Sequence, residues 1–218
     1  MIMKKFFLGF CLLFLSVLNL SAQLNEGYIK FDVRFEDEGL SDEEKAMLPT
    51  MSELWFSNGQ MLMRMPTAMG IETKILVRED ELFIMMNMLG NKMAIKSDRD
   101  EMHAKSKNKS SFKLKEITAE KKMIAGYECR KAVMIGEDGE EAIVWFTDKL
   151  QVKGAWYYNM EGIDGFPMEF STSANGLKIK MIAIEVKADK PAADQFKVPE
   201  EYKIMSQEEM QQMFGGMK

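Results

Sequence analysis

The chain has 218 residues, a formal net charge of −5, 22 methionines, two cysteines and one histidine. That length suits a single domain with a sizeable core, and the mild acidity disfavours nucleic acid or an anionic membrane surface as partner. One histidine and two cysteines exclude most zinc clusters and most nucleophile–histidine chemistry.

Residues 1–22 read as an export signal. Lys4 and Lys5 lead into an apolar run of about fifteen residues that closes on Ser21-Ala22-Gln23, the order of a secretory leader and short for a membrane span. Cys11 stands inside the run, not at its end, which speaks against a lipidated N-terminus. Cleavage after Ala22 leaves a single domain, 23–218, destined for the periplasm or for secretion, and carrying one cysteine, Cys129, and one histidine, His103. A lone cysteine makes no internal disulfide, so packing must supply the stability, and the thiol is expected to be buried.

From Gly27 to Glu36 apolar Ile29, Phe31, Val33 and Phe35 alternate with polar residues, the period of a half-buried strand. Ser41 with Glu44 predicts a capping box and a short helix stopped near Pro49. Residues 53–57 and 60–65 flank Asn58-Gly59, a strong hairpin signal because both turn positions favour positive φ. Strands are predicted over 71–78, 82–88 and 92–97, with turns at Glu79-Asp80 and Gly90-Asn91; residues 98–111 form a polar connection. Further strands are predicted over 111–118, 126–135, 141–147, 167–173 and 177–187. Residues 143–146 and 181–184 are apolar at consecutive positions, which predicts burial on both faces, or a bulge near Met181. At the C-terminus Ser206 and Glu209 predict a second capping box, and Met210, Met213 and Phe214 share the face of a short helix over 206–214 that could cover the sheet. The fold class is therefore mainly β: one curved antiparallel sheet with one or two short helices over part of one face.

The blocks Lys122–Ala132 (KMIAGYECRKA), Val144-Trp-Phe-Thr147, Gly165-Phe-Pro-Met168 and Asp194–Lys203 resemble the exported bacterial GLPGLI group and its sister family of unknown function. Gly-Phe-Pro-Met in place of Gly-Leu-Pro-Gly favours the sister family. The resemblance implies a single curved sheet forming an open half-barrel, similar to the periplasmic lipoprotein carriers of the LolA type, whose concave face takes up acyl chains. It carries over no catalytic residue.

Met61-Leu-Met-Arg-Met65 is the sharpest local pattern, since residues 61, 63 and 65 share one side of a strand. With Trp55, Met85, Met86 and Met93 they form the candidate wall for an apolar ligand, although Met85 and Met86 cannot both face inward on a regular strand. Three readings compete: thioethers filling an irregular core, an adaptable pocket for a lipid or acyl chain, and a Cu(I) site built from Met61, Met63, Met65 and His103. Along a strand, alternate Cα atoms lie about 7 Å apart, so three same-face sulfurs converge poorly on one ion. Trp156-Tyr157-Tyr158 could rim a binding loop. Cys129 and His103 lack any supporting catalytic motif, so the expected function is non-enzymatic binding of an apolar ligand, with no cofactor. A structural envelope component with a filled core is the remaining alternative.

Overall fold

Period-two alternation fixes which side of each strand is buried, and turn chemistry fixes how successive strands pair. The computed structural model describes residues 23–206, apart from 38, 80, 99–111, 137–138, 153–159 and 175, together with residue 209. The expected leader, His103, the Trp156–Tyr158 loop and most of the expected 206–214 helix lie outside the described residues.

Thirteen strands join one sheet in the order β10-β7-β8-β9-β11-β12-β1-β2-β3-β4-β5-β6-β13. They are β1 Gly27–Phe35, β2 Met51–Ser57, β3 Gln60–Pro66, β4 Glu72–Arg78, β5 Glu81–Met88 and β6 Asn91–Asp98 in the first half. The second half holds β7 Phe112–Ile124, β8 Tyr127–Ile135, β9 Glu141–Thr147, β10 Met160–Glu161, β11 Phe166–Ala174, β12 Leu177–Lys187 and β13 Lys203–Met205. The long strands pair antiparallel, while each border carries a short parallel strand, β10 on β7 and β13 on β6. The borders do not pair with each other, so the sheet stays open.

The hairpin turns follow from local sequence. Asn58 and Gly59 take φ of 49° and 83°, as a two-residue primed turn demands. The same positive pair recurs at Leu89-Gly90 and Ala125-Gly126. Between β1 and β2, the five-residue helix α1 (Asp42–Ala46) begins with the predicted capping box: Ser41 Oγ accepts from Glu44 N–H, and Glu44 accepts from Ser41 N–H.

The inner face of nearly every long strand contributes to one core. It joins Ile29 and Phe31 of β1, Leu54 and Phe56 of β2, and Met61 and Met63 of β3 to Met134, Phe146 and Phe170 across the sheet. Strands so far apart in the ladder share one cluster only if the sheet bends around it. Phe31 anchors the middle, with its ring centroid 6.2 Å from Phe166 and 6.4 Å from Phe170 in tilted and edge-on contacts. Among the described residues, the outer face is covered over β3–β6. There Leu62, Leu76, Phe83, Met85 and Ala94 pack under Phe196 and Tyr202, which descend from the 3-10 turn Ala193–Phe196 and the chain leading to β13.

Several expectations need correction. Burial on both faces occurs at Met61–Met63 and Ile75–Val77, not at 143–146 or 181–184. Ile143 and Ile184 are instead about half exposed on the outer side. Ile184 falls at the register shift where Lys30 pairs Glu185 but Phe31 pairs Ala183, so the bulge reading describes β12. The cover is a 3-10 turn and tail segment, whereas α1 buries no residue. Only the capping box of the expected C-terminal helix is described, with Ser206 and Glu209 exchanging hydrogen bonds. β7 runs on to Ile124 because a border strand need not alternate: Lys115, Glu116, Glu120 and Lys121 all face water.

Candidate functional site

Register decides which methionines meet. On β3 Met61 and Met63 pair with Val77 and Ile75, and both are fully buried in the main core. Met65 pairs with Thr73, Thr73 with Met86, and Met86 with Met93, giving a half-buried row across β3–β6 on that same inner face. Towards β1 the same level continues through Ser52, which pairs with Phe31. Trp55 and Met85 belong to the opposite side, which corrects their place in the wall. Trp55 pairs with Leu62 and stacks on Tyr28 at 5.3 Å, and Met85 lies in the cluster beneath Phe196 and Tyr202.

Sequence reasoning missed what surrounds that row. The β1–β2 connection and the β3–β4 and β5–β6 turns all lie at one end of the meander, because successive antiparallel strands alternate direction. Four large apolar residues stand exposed on them: Met47, Met69, Met88 and Leu89, the last 79% accessible. Turn positions ordinarily take Gly, Asn, Asp or Ser. Apolar residues at Met69-Gly70 and Met88-Leu89-Gly90 were the signal in the sequence. On β5 exposed Met88 shares its side with half-buried Met86, and on β3 half-buried Met65 shares its side with buried Met63 and Met61.

The outer side carries charge that is internally matched. Arg64 bridges Glu53 and Glu72, Lys74 also reaches Glu72 at 2.9 Å, and Tyr28 donates to Glu53 at 3.0 Å. Burial alone would raise the Glu72 carboxyl, but hydrogen bonds from Lys74 and Arg64 outweigh it and hold the group below the usual carboxylate range. Glu169 shows the same balance, with burial overcome by Lys122 and Lys180. Burial pushes the Tyr28 hydroxyl upward, and its bond to Glu53 adds to the shift. These carboxylates are therefore locked bases, already engaged with cations.

Cys129 is fully buried, and burial pushes its thiol up to about 11, with only partial relief from Lys122. A thiol held neutral is a poor nucleophile. Along β8 burial passes from Cys129 to Ala132 and Met134, leaving Val133 half-buried and Ile135 exposed. Among the described residues, no group of three His, Cys, Asp or Glu gathers as a metal site. The Cu(I) alternative loses its geometry too, since Met61 and Met63 are packed among Val77, Ile75 and Leu54.

A separate open cleft of about 430 Å³ has exposed Gln23, Asp148, Gln151 and Asp164 at its rim and buried Leu150, Val152 and Phe166 below. Gln23 donates to the Asp148 carbonyl at 2.9 Å and accepts from Gln151 at 2.6 Å, tying the N-terminal segment across it. Among the described residues, no helix is long and apolar enough to cross a membrane.

The family model described as N-glycanase peptide, N-terminal domain, matches residues 57–210. This family carries a different description from the GLPGLI group that the motifs resemble. No curated protein matches the chain. Among solved structures the fold is similar to an uncharacterized conserved protein from Thermus thermophilus, at 10% identity and a TM-score of 0.48, covering 87% of this chain and 93% of that one. It is also similar to the lipoprotein LppX of Mycobacterium tuberculosis, at 9% identity and a TM-score of 0.40 over 78% of this chain and 88% of that one. A third similar structure is MucB, at 10% identity and a TM-score of 0.34 over 83% of this chain and 60% of that one.

Proposed function

The chain belongs to the family described as N-glycanase peptide, N-terminal domain, and from that premise we propose a non-catalytic, exported binding domain that takes an acyl chain at its methionine-rimmed end. The observation that carries the reading is the gathering, at one end of the meander, of exposed Met47, Met69, Met88 and Leu89 with half-buried Met65, Met86 and Met93. Unbranched thioether side chains adapt to a flexible guest, because three rotatable bonds let them repack without a fixed shape. A patch of this kind on a soluble surface marks a place where another apolar body sits. Met61 and Met63 are buried beside Leu54, Ile75 and Val77, so the guest is placed at the sheet end, where the methionines are accessible. Export places such a domain among envelope lipids, consistent with the leader expected at residues 1–22.

Native mass spectrometry of the protein recovered from its own host tests the proposal. Wild-type protein is expected to carry added lipid mass, and Met86→Glu is expected to lose it, because a charge desolvated against an acyl chain costs at least about tenfold in affinity. Ile143→Glu, on the exposed outer side, should retain the lipid. A bare wild-type mass, or lipid retained undiminished by Met86→Glu, overturns the reading.

A further inference from the structure

Among the described residues, one buried side-chain polar atom has no hydrogen-bond partner. Ser52 is wholly inaccessible, and its Oγ makes no hydrogen bond among the described residues. Burying a hydroxyl unpaired is costly, and native interiors leave few such groups. Ser52 pairs with Phe31 on β1, and extending the register beyond Glu53–Arg64 by one step sets it beside Met65. It therefore stands at the inner end of the row Met65, Thr73, Met86 and Met93. Nothing in the local fold requires a hydroxyl there, since β2 alternates Leu54 and Phe56 at the other inward positions.

We propose that Ser52 is the polar anchor of the acyl-chain site and that the guest is a neutral acyl ester, whose carbonyl oxygen accepts a hydrogen bond from Ser52 Oγ–H. The proposal rests on the reading of the methionine-rimmed end as an acyl site. Charge decides the class of guest. The cation registered on the row of Phe31, Ser52, Met65, Thr73, Met86 and Met93 is Lys203, exposed beside Met93 and five strand spacings, about 24 Å, from Ser52, so an ionised carboxylate at Ser52 would be desolvated without an adjacent counter-ion. An ester carbonyl brings an acceptor without that charge. Met65, half-buried and flexible, is the side chain that must turn aside to admit it.

Three C12 probes separate the outcomes: methyl laurate, laurate at pH 8, and dodecane, each titrated against the purified protein. Wild-type protein is expected to bind methyl laurate about tenfold more tightly than either of the others. Ser52→Ala should lose that advantage and bind the ester no better than the alkane. Its melting temperature without ligand should be equal to or above wild type, because an unpaired buried hydroxyl has been removed. Ser52→Thr, which keeps the hydroxyl, should retain the preference. Equal affinity of wild type and Ser52→Ala for methyl laurate overturns the anchor while leaving the acyl site standing, and so does tightest binding of laurate. Failure of wild-type protein to bind any probe removes the acyl site and the anchor together.

Discussion

Leu89 adopts a left-handed backbone at φ of 52° although its side chain is 79% exposed and packs on little. A branched residue there strains against its own carbonyl by about 1–2 kcal/mol, which Asn largely avoids. Leu89→Asn is therefore expected to raise the melting temperature by about 2–4 °C. If Leu89 serves the apolar rim, the same change weakens lipid retention, so calorimetry and native mass should move in opposite directions. Cys129 gives a second residue-scale test. Burial lifts its thiol from an ordinary value near 9 to about 11, so the unfolded chain releases its proton first as pH rises. The neutral thiol's contribution is thus complete below about pH 9 and is lost between about pH 9 and 11. Urea unfolding should show a steeper loss of stability across that window in wild type than in Cys129→Ala. At pH 8 the native thiol should resist alkylation that the urea-unfolded protein accepts at once.

At the scale of elements, the cover over β3–β6 is a tail held by two aromatic rings. Phe196 and Tyr202 are almost fully buried over Leu62, Leu76 and Phe83, and Lys74 and Lys92 approach the Tyr202 ring at 5.9 and 6.0 Å. Phe196→Ala should cost about 3–5 kcal/mol in chemical denaturation and expose a dye-binding apolar surface. An unchanged midpoint would mean that the tail adds little to the sheet. The cover also marks where sequence reading stopped. Asn58-Gly59 and the Ser41–Glu44 box were legible because each signal is local. Which side Trp55, Met85 and Met86 face was not, because that depends on register across four strands. Met61-Leu62-Met63 looked like a one-sided strand since nothing local announces that residues near 200 return to cover Leu62. The end of β7 was hidden for the opposite reason: a border strand exposed to water loses the alternation by which strands are recognised.

For the whole molecule, one bent sheet serves as both core and surface. Its long strands were readable because every half-buried strand requires a partner face and the short turns supply a meander, whereas its open form came only from the family resemblance. Where a guest would sit was only half readable. The residues at 61 and 63 belong to the interior, the one at 65 to the margin, and a three-residue repeat in sequence gives no sign of that gradient. Ser52 was invisible, since a serine in a strand attracts notice only after its surroundings prove empty of partners.

The border at β7 has a further consequence. Two register shifts, between Leu114 and Glu116 and between Ile117 and Lys121, crumple the edge, and lysine and glutamate fringe it. A second molecule arriving alongside finds no straight ladder to zip onto. This border is thereby a poor template for the stacking into fibrils that threatens any flat, hungry margin at high concentration.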